Sequence, residues 1–354
     1  MSATAKQRDY SFDIAKGIAI YLVDLGHIVT ISTLRIPIDF IHMPLFFFVS
    51  GWFFTKTFEN DKPDGLNQAK RKAQRLLLPF LVWSFIALLF NLALWVVSGG
   101  LQTGAFGSYA AGQVVDIFVH VRSFWFLLVL FLTLVYMLLC RALARKIPVN
   151  RYVLAIAGWI LLYIFVPDNH ESSVFGLYKF EWLFPLFVAG CLLKDSDIAE
   201  KAKLFYSKHK WASRASLMIA VALTYVCFSK PLFDLWGVPN VFAWGSPLTG
   251  LGVIVYYFLS FFGVVALLVL SGRLAKTRAC KWLSELGIYS LDIYVLHMFL
   301  VKAFLMVVPE SLVNSALGSY LIAPLFSLVV VVVIWAAVKF VFNRFKPYVA
   351  LMRE

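Results

Sequence analysis

Residues 13–17 read Asp13-Ile14-Ala15-Lys16-Gly17, and the apolar stretch that follows closes on Leu25-Gly26-His27; residues 40–51 read Phe40-Ile41-His42-Met43-Pro44-Leu45-Phe46-Phe47-Phe48-Val49-Ser50-Gly51. Both stretches are apolar enough to lie in a membrane, yet both carry ionisable groups in their interior. Such a group within lipid costs several kcal/mol, about 2.5–3.5 for Lys or Asp on insertion scales, so it points to function by default.

The rest of the chain agrees with a membrane setting. Hydrophobic residues make up 61% of the 354 positions and charged residues 14%, where a soluble chain carries about 25% charged residues. Mean hydropathy is +0.82. The 34 Phe, 15 Tyr and 11 Trp suit a chain that meets lipid tails and headgroups. A crossing needs about 20 apolar residues. That ruler places spans at 12–32, 40–57, 76–98, 123–141, 152–167, 180–194, 212–229, 247–270, 286–306 and 319–342. The expected fold is therefore an all-α integral membrane protein of about ten transmembrane helices. The first stretch reads as a retained helix rather than a cleaved signal, since no small-residue cleavage site follows it.

Charge sets the expected orientation. Basic residues crowd alternate loops: Lys56 to Arg75, Arg141 to Arg151, Lys194 to Arg214, Arg273 to Lys281, and the tail from Arg344. The opposite loops hold little more than Arg35, Arg122, Lys179 and Lys230, mixed with acids. By the positive-inside rule both termini are cytoplasmic. The net charge of +13 is thus distributed by membrane side, which argues against a nucleic-acid partner. The longest loop, 99–122, is rich in Gly and Ser and too short for a separate domain, so one transmembrane domain is expected over 1–354. Cys140, Cys191, Cys227 and Cys280 are scattered, without the spacing of a zinc site or disulfide framework. Phosphate-binding Gly-rich loops, paired-His metal motifs and a nucleophile elbow are all missing from the sequence.

The polar residues inside the spans carry the chemistry. Lys16 and His27 stand three helical turns apart, about 16 Å, and can share a face. Asp13 with Lys16, and Asp24 with His27, are spaced i,i+3 and can touch. A carboxylate beside an imidazole fixes its tautomer and raises its basicity, which is how a general base is oriented. The same pair also suits a purely structural contact. His42 and Pro44 are expected near the start of the second span, where proline is tolerated. Ser50 and Gly51 permit close helix packing. Arg71, Lys72 and Arg75 sit at the inner edge of the third span, suited either to phosphate groups or to anchoring at the headgroups. Trp125-Phe126-Leu127 opens the fourth span beside His120 and Arg122, as an interfacial aromatic does. Ser290 to His297 places Asp292, Tyr294 and His297 within the ninth span, where they need partners.

Taken together, these segments resemble the membrane-bound acyltransferase 3 family, in particular its stand-alone sugar O-acetyltransferase branch, fucose 4-O-acetylase-like. The resemblance covers essentially the whole chain. It rests on Asp13 to His27, on His42 to Gly51, on Lys72 to Pro79, on Trp125 to Leu127 and on Ser290 to His297. It implies acetyl transfer from cytoplasmic acetyl-CoA to a hydroxyl of a surface glycan or its lipid-linked precursor, in a bacterial inner membrane. The family's basic-residue and histidine pair falls on Lys16 and His27. Its paired-arginine motif falls on Lys72 and Arg75, with Lys standing first and Arg71 adjacent. His27 is then the expected base. Arg71, Lys72 and Arg75 are the expected holders of the CoA phosphates, and Tyr294, His297, His42 or a backbone amide the expected donors to the oxyanion. No metal is implied. Buried His, Asp and Lys in ten spans also describe a proton-coupled transporter, the alternative reading.

Overall fold

The computed structural model describes residues 10–58, 65–165, 174–196, 249–277 and 280–352, with isolated positions between 197 and 248. These residues are helical, and no strand occurs among them. The α-helices of seven residues or more are α1 (Ser11–Ile28), α2 (Ser32–Phe58), α3 (Gly65–Val97), α4 (Phe106–Val114), α5 (Trp125–Ala144), α6 (Arg151–Phe165), α7 (Leu177–Asp195), α8 (Thr249–Leu274), α9 (Lys281–Ile288), α10 (Ser290–Val307), α11 (Ala323–Phe340) and α12 (Lys346–Met352).

Helix is what lipid demands, because every backbone N–H and C=O must be satisfied within the segment. Among the described residues six helical stretches are long and apolar enough to cross a membrane: Pro37–Thr55, Gln74–Val97, Trp125–Ala144, Tyr256–Leu274, Ser290–Val307 and Gly318–Arg344. The protein is thus a multi-pass membrane protein. Helix α6 is apolar but shorter. Helices α1 and α7, expected to span, fall outside the six: α1 carries Asp13, Lys16 and Asp24, and α7 carries Lys179, Glu181 and Lys194. Apart from Ala215 and Met218, the expected span 212–229, with Cys227, lies outside the described residues. Leu89, Leu139 and Leu325 are each more than half exposed. In water such apolar surface is a liability; against lipid tails it is the required one.

Two expectations about local structure change. Segment 99–122 is not an open loop but holds a 3₁₀ turn (Gly100–Thr103), α4 and a π-helical turn (Val115–Val119). His42 and Pro44 lie in the middle of α2, because that helix begins a further ten residues upstream, at Ser32, and accommodates Pro37 as well. A proline there withholds the N–H that would bond the carbonyl one turn back, a recognised cause of kinks.

The helices form two compact units: residues 1–53 with 189–343, and residues 54–188 with 344–354. In the first, α1 is central, packing on α8, α9, α10 and α11. Ala15 and Ala19 of α1 are fully buried against Leu45, Phe48 and Val49 of α2 and Val264 and Leu267 of α8. Gly17 and Gly287 bring α1 and α9 into backbone contact. A Cβ on Gly17 would collide with the Leu283 carbonyl, and one on Gly287 with that of Asp13. Small residues at such crossings are the membrane substitute for a hydrophobic driving force. In the second unit α5 packs on α3 and α6, and α3 on α12. The Tyr136 hydroxyl donates to the Ala155 carbonyl at 2.9 Å, and Trp159 Nε1 to the Glu181 carbonyl at 2.8 Å.

Candidate active site

Within the first unit, α1 brings Lys16 and His27 to opposite ends of one buried helix. Lys16 Nζ lies 2.9 Å from Asp13 Oδ1, the i,i+3 pair that the spacing allows. Asp13 is almost wholly buried and Lys16 about a quarter exposed, so the pair closes one end of α1 beside the Gly17–Gly287 crossing. Alongside, a cavity of about 550 Å³ is lined by Tyr10, Thr277, Cys280, Lys281, Ser284 and Glu285. Glu285 also pairs with Lys339, at 2.5 Å.

At the other end, His27 is exposed although Val23 to Gly26 and Ile28 to Val29 around it are buried. Its ring centre lies 5.2 Å from that of His297 on α10. Tyr294, one turn earlier on α10, stands 5.9 Å from His297, centre to centre. His42 on α2 is within electrostatic reach of His297. Arg35 and Asp39 form an exposed ion pair of 2.9 Å one turn before it. Histidines from three helices therefore converge about His297. Asp292 is buried on the same helix as His297.

The tautomers of two of these histidines follow from their partners. His42 Nδ1 meets the Ile38 carbonyl and His297 Nδ1 meets the Tyr294 carbonyl at 2.7 Å. A carbonyl oxygen only accepts, so Nδ1 carries the proton in both rings, and in the neutral imidazole Nε2 is then a lone pair. His297 Nε2 is buried and makes no hydrogen bond among the described residues. As neutral rings His42 and His297 are acceptors at Nε2.

Asp24 does not pair with His27. It is fully buried, and neither carboxylate oxygen accepts a hydrogen bond among the described residues. It is turned toward α11, where Ser327 lies beside it short of a hydrogen bond, and toward Tyr21, whose hydroxyl donates to the Pro324 carbonyl at 3.2 Å. An i,i+3 spacing permits contact, but the side chain follows its rotamer and its neighbours.

In the second unit, Arg71 and Arg75 are exposed on the early turns of α3, and the side chain of Lys72 lies outside the described residues. Trp125 opens α5 half-buried with Lys179 Nζ 4.5 Å from its ring centre, a contact the sequence analysis missed. The available signal was charge: Lys179 is one of few basic residues on its set of loops.

Among the described residues no group of three His, Cys, Asp or Glu is placed to hold a metal ion. No solved structure matches the chain. Over 114 residues it is 32% identical to the nodulation protein NolL of Sinorhizobium fredii, an alignment that covers 29% of this chain and 31% of that one. The chain thus spans about a third of that curated relative's length. The stretches that hold Lys16, His27, His42, Trp125 and His297 all lie within residues 9–339, which match the model of the acyltransferase domain of the acyltransferase 3 type, and the chain belongs to that family.

Proposed function

We propose that this membrane acyltransferase moves an acetyl group from acetyl-CoA to a hydroxyl of a surface glycan or of its lipid-linked precursor, with His27 as the base. The observation that carries this reading is the exposed imidazole of His27, set in an otherwise buried turn and facing His297. A general base must reach its substrate, and an exposed imidazole at that point of a buried helix can do so.

His27 takes the proton of a sugar hydroxyl as that oxygen attacks the thioester carbonyl. The tetrahedral oxyanion collapses, the C–S bond breaks, and CoA leaves as the thiol after taking the proton back from His27. A positioned base contributes about 10²–10⁴ in rate, or about 3–5 kcal/mol of barrier. Neutral His297 and His42, acceptors at Nε2, suit alignment of the incoming hydroxyl rather than stabilisation of the oxyanion. Arg71, Lys72 and Arg75 are proposed to hold the phosphates of CoA, Arg by paired donors and Lys as a point charge. The basic loops on that side favour the cytoplasm, and a bacterial inner membrane is the proposed home.

The test is acetyl-CoA binding and thiol release by purified protein in detergent, comparing wild type with His27→Ala. Saturable binding, with thiol release lost in the variant, is the expected outcome. Failure of the folded wild type to bind any acyl-CoA overturns the reading.

A further inference from the structure

The second unit carries an arrangement that acyl transfer does not itself require. Trp125 is half-buried at the start of α5, and Lys179 Nζ sits 4.5 Å from its ring centre and 5.3 Å from that of Tyr178. Arg122 bears on Lys179 as a second cation. It contacts Asp116 at 3.3 Å, yet its side chain is 60% exposed. Among the described residues no carboxylate lies within ion-pair distance of Lys179; Glu181, two positions along α7, does not share its helix face. A lysine pressed onto an aromatic ring gains about 0.5–2 kcal/mol, but that gain gives no reason to set a second cation beside it.

The backbone around this cluster is held in an unusual form. Val121 is fully buried with φ of 52°, and Phe175 has φ of 53°. Positive φ at a β-branched residue is an outlier, costing about 1–3 kcal/mol, and such residues gather at ligand clamps. One hydrogen bond ties the two strained segments together, from the Phe175 N–H to the Val119 carbonyl at 2.7 Å, and within the first segment the Arg122 N–H donates to the Asp116 carbonyl at 3.0 Å. Together they fix Arg122 and Trp125 against the start of α7. On the ten-span reading of the sequence both cations also fall on the set of loops that is otherwise poor in basic residues, against the usual bias. Burial and the like charge of Arg122 lower the Lys179 pKa to about 7. A bound anion would relieve both effects.

We propose that Lys179, Arg122 and the face of Trp125 form a docking site for an anionic carbohydrate group, a phosphate or carboxylate carried by the acceptor. Arg122 offers paired N–H donors and Lys179 a point charge, while the indole offers an apolar face to the sugar ring. This rests on the proposed function only in taking the acceptor to be a glycan; binding of the anion is independent of acyl transfer.

The test is equilibrium binding to the full-length protein in a neutral, lipid-free detergent at about pH 6, where an ordinary lysine is charged. The probes are glucose 1-phosphate, methyl glucuronide and uncharged methyl glucoside. At least one anionic probe is expected to bind about tenfold more tightly than methyl glucoside, and Lys179→Gln and Arg122→Gln each to weaken it about tenfold. Lys179→Arg, which keeps the charge, should retain binding and so guards against loss of fold. Equal binding of the neutral glycoside, absence of binding by both anions, or indifference to Lys179→Gln overturns the proposal. So does displacement of the sugar phosphate by phosphatidylglycerol at lower concentration than any sugar, which would make the site a lipid headgroup site. Thiol release is measured on the same preparation. If it persists while no anion binds, this inference alone fails; if anions bind without thiol release, the transfer reading fails and the site stands.

Discussion

The imidazoles of His27 and His297 lie 5.2 Å apart, centre to centre, with their planes inclined by 42°, although 270 positions of sequence separate them. One ring is exposed and the other almost fully buried. The buried ring donates through Nδ1 to the Tyr294 carbonyl. It therefore presents a lone pair, and not an N–H, at Nε2.

The two histidines should accordingly fail in different ways. His27→Ala is expected to remove acetyl transfer to the background rate at near-normal membrane abundance. His297→Phe keeps the ring volume but loses the acceptor at Nε2, and is expected to lower kcat by about tenfold to a hundredfold with acetyl-CoA affinity unchanged. Single-turnover rates alongside acetyl-CoA Kd values distinguish the cases. A weakened acetyl-CoA Kd in His297→Phe would show that its role is in the donor pocket.

Asp24 gives a sharper contrast with a catalytic triad. A carboxylate that orients a histidine is costly to lose. Asp24 faces Ser327 and makes no hydrogen bond to His27. Asp24→Asn is expected to leave kcat within about threefold of wild type. Replacing a buried, unpaired carboxylate by a neutral group should also hold or raise the unfolding temperature. A hundredfold drop in kcat, about 2.7 kcal/mol of barrier, would place Asp24 in the catalytic machinery after all.

What was legible in the sequence followed from local rules. Long apolar runs became helices because lipid leaves the backbone no other partner, and Asp13 found Lys16 because three positions is nearly one turn. The same rule misled at Asp24, where a neighbour on α11 rather than spacing decides the direction of the side chain. His42 and Pro44 read as a helix start, because proline usually marks one, yet α2 runs through both. The convergence of His27, His42 and His297, the contact of Lys179 with Trp125 and the Gly17–Gly287 crossing are non-local, and no periodicity announces them.

The Gly17–Gly287 crossing makes a stability prediction independent of catalysis. A methyl at either position would meet the other helix's backbone, which cannot yield as a flexible side chain does. Gly17→Ala and Gly287→Ala are each expected to destabilise by about 1–3 kcal/mol, read as a lower unfolding temperature in detergent. Gly272, whose added Cβ would meet nothing within 4 Å, is the control: Gly272→Ala should be neutral or slightly stabilising. Equal behaviour of all three would mean that α1 and α9 are not in backbone contact.

The basic cluster on α3 is open to a similar separation of roles. If Arg71, Lys72 and Arg75 hold the CoA phosphates, neutralising Lys72 and Arg75 together should raise KM for acetyl-CoA by about tenfold or more, while pantetheine acetate, which lacks the nucleotide, is used as before. Unchanged KM with altered membrane orientation would return the cluster to a headgroup anchor.

Lys179 makes both stability and anion binding depend on pH, in opposite directions. Its pKa of about 7, lowered by burial and by Arg122, lies below the ordinary lysine value. Below about pH 7 the amine is charged in both folded and unfolded chains, and the full cost of holding that charge is present. As pH rises from about 7 toward 10.5 the folded chain gives up its proton before the unfolded one does, so this contribution makes the protein more stable with rising pH. Anion binding runs the other way, because it needs the ammonium form. The charged groups that bear on the amine are Arg122 and, through its contact with Arg122, Asp116; Tyr178 supplies a ring face. Affinity for glucose 1-phosphate should therefore fall as pH rises above about 7, by up to about tenfold per pH unit. At pH 8 binding should take up protons, seen calorimetrically as a dependence of the heat on the buffer's ionisation enthalpy. In Lys179→Arg, whose guanidinium stays charged throughout, both the decline and the proton uptake should vanish. Persistence of the decline in that variant would assign the titration to another group.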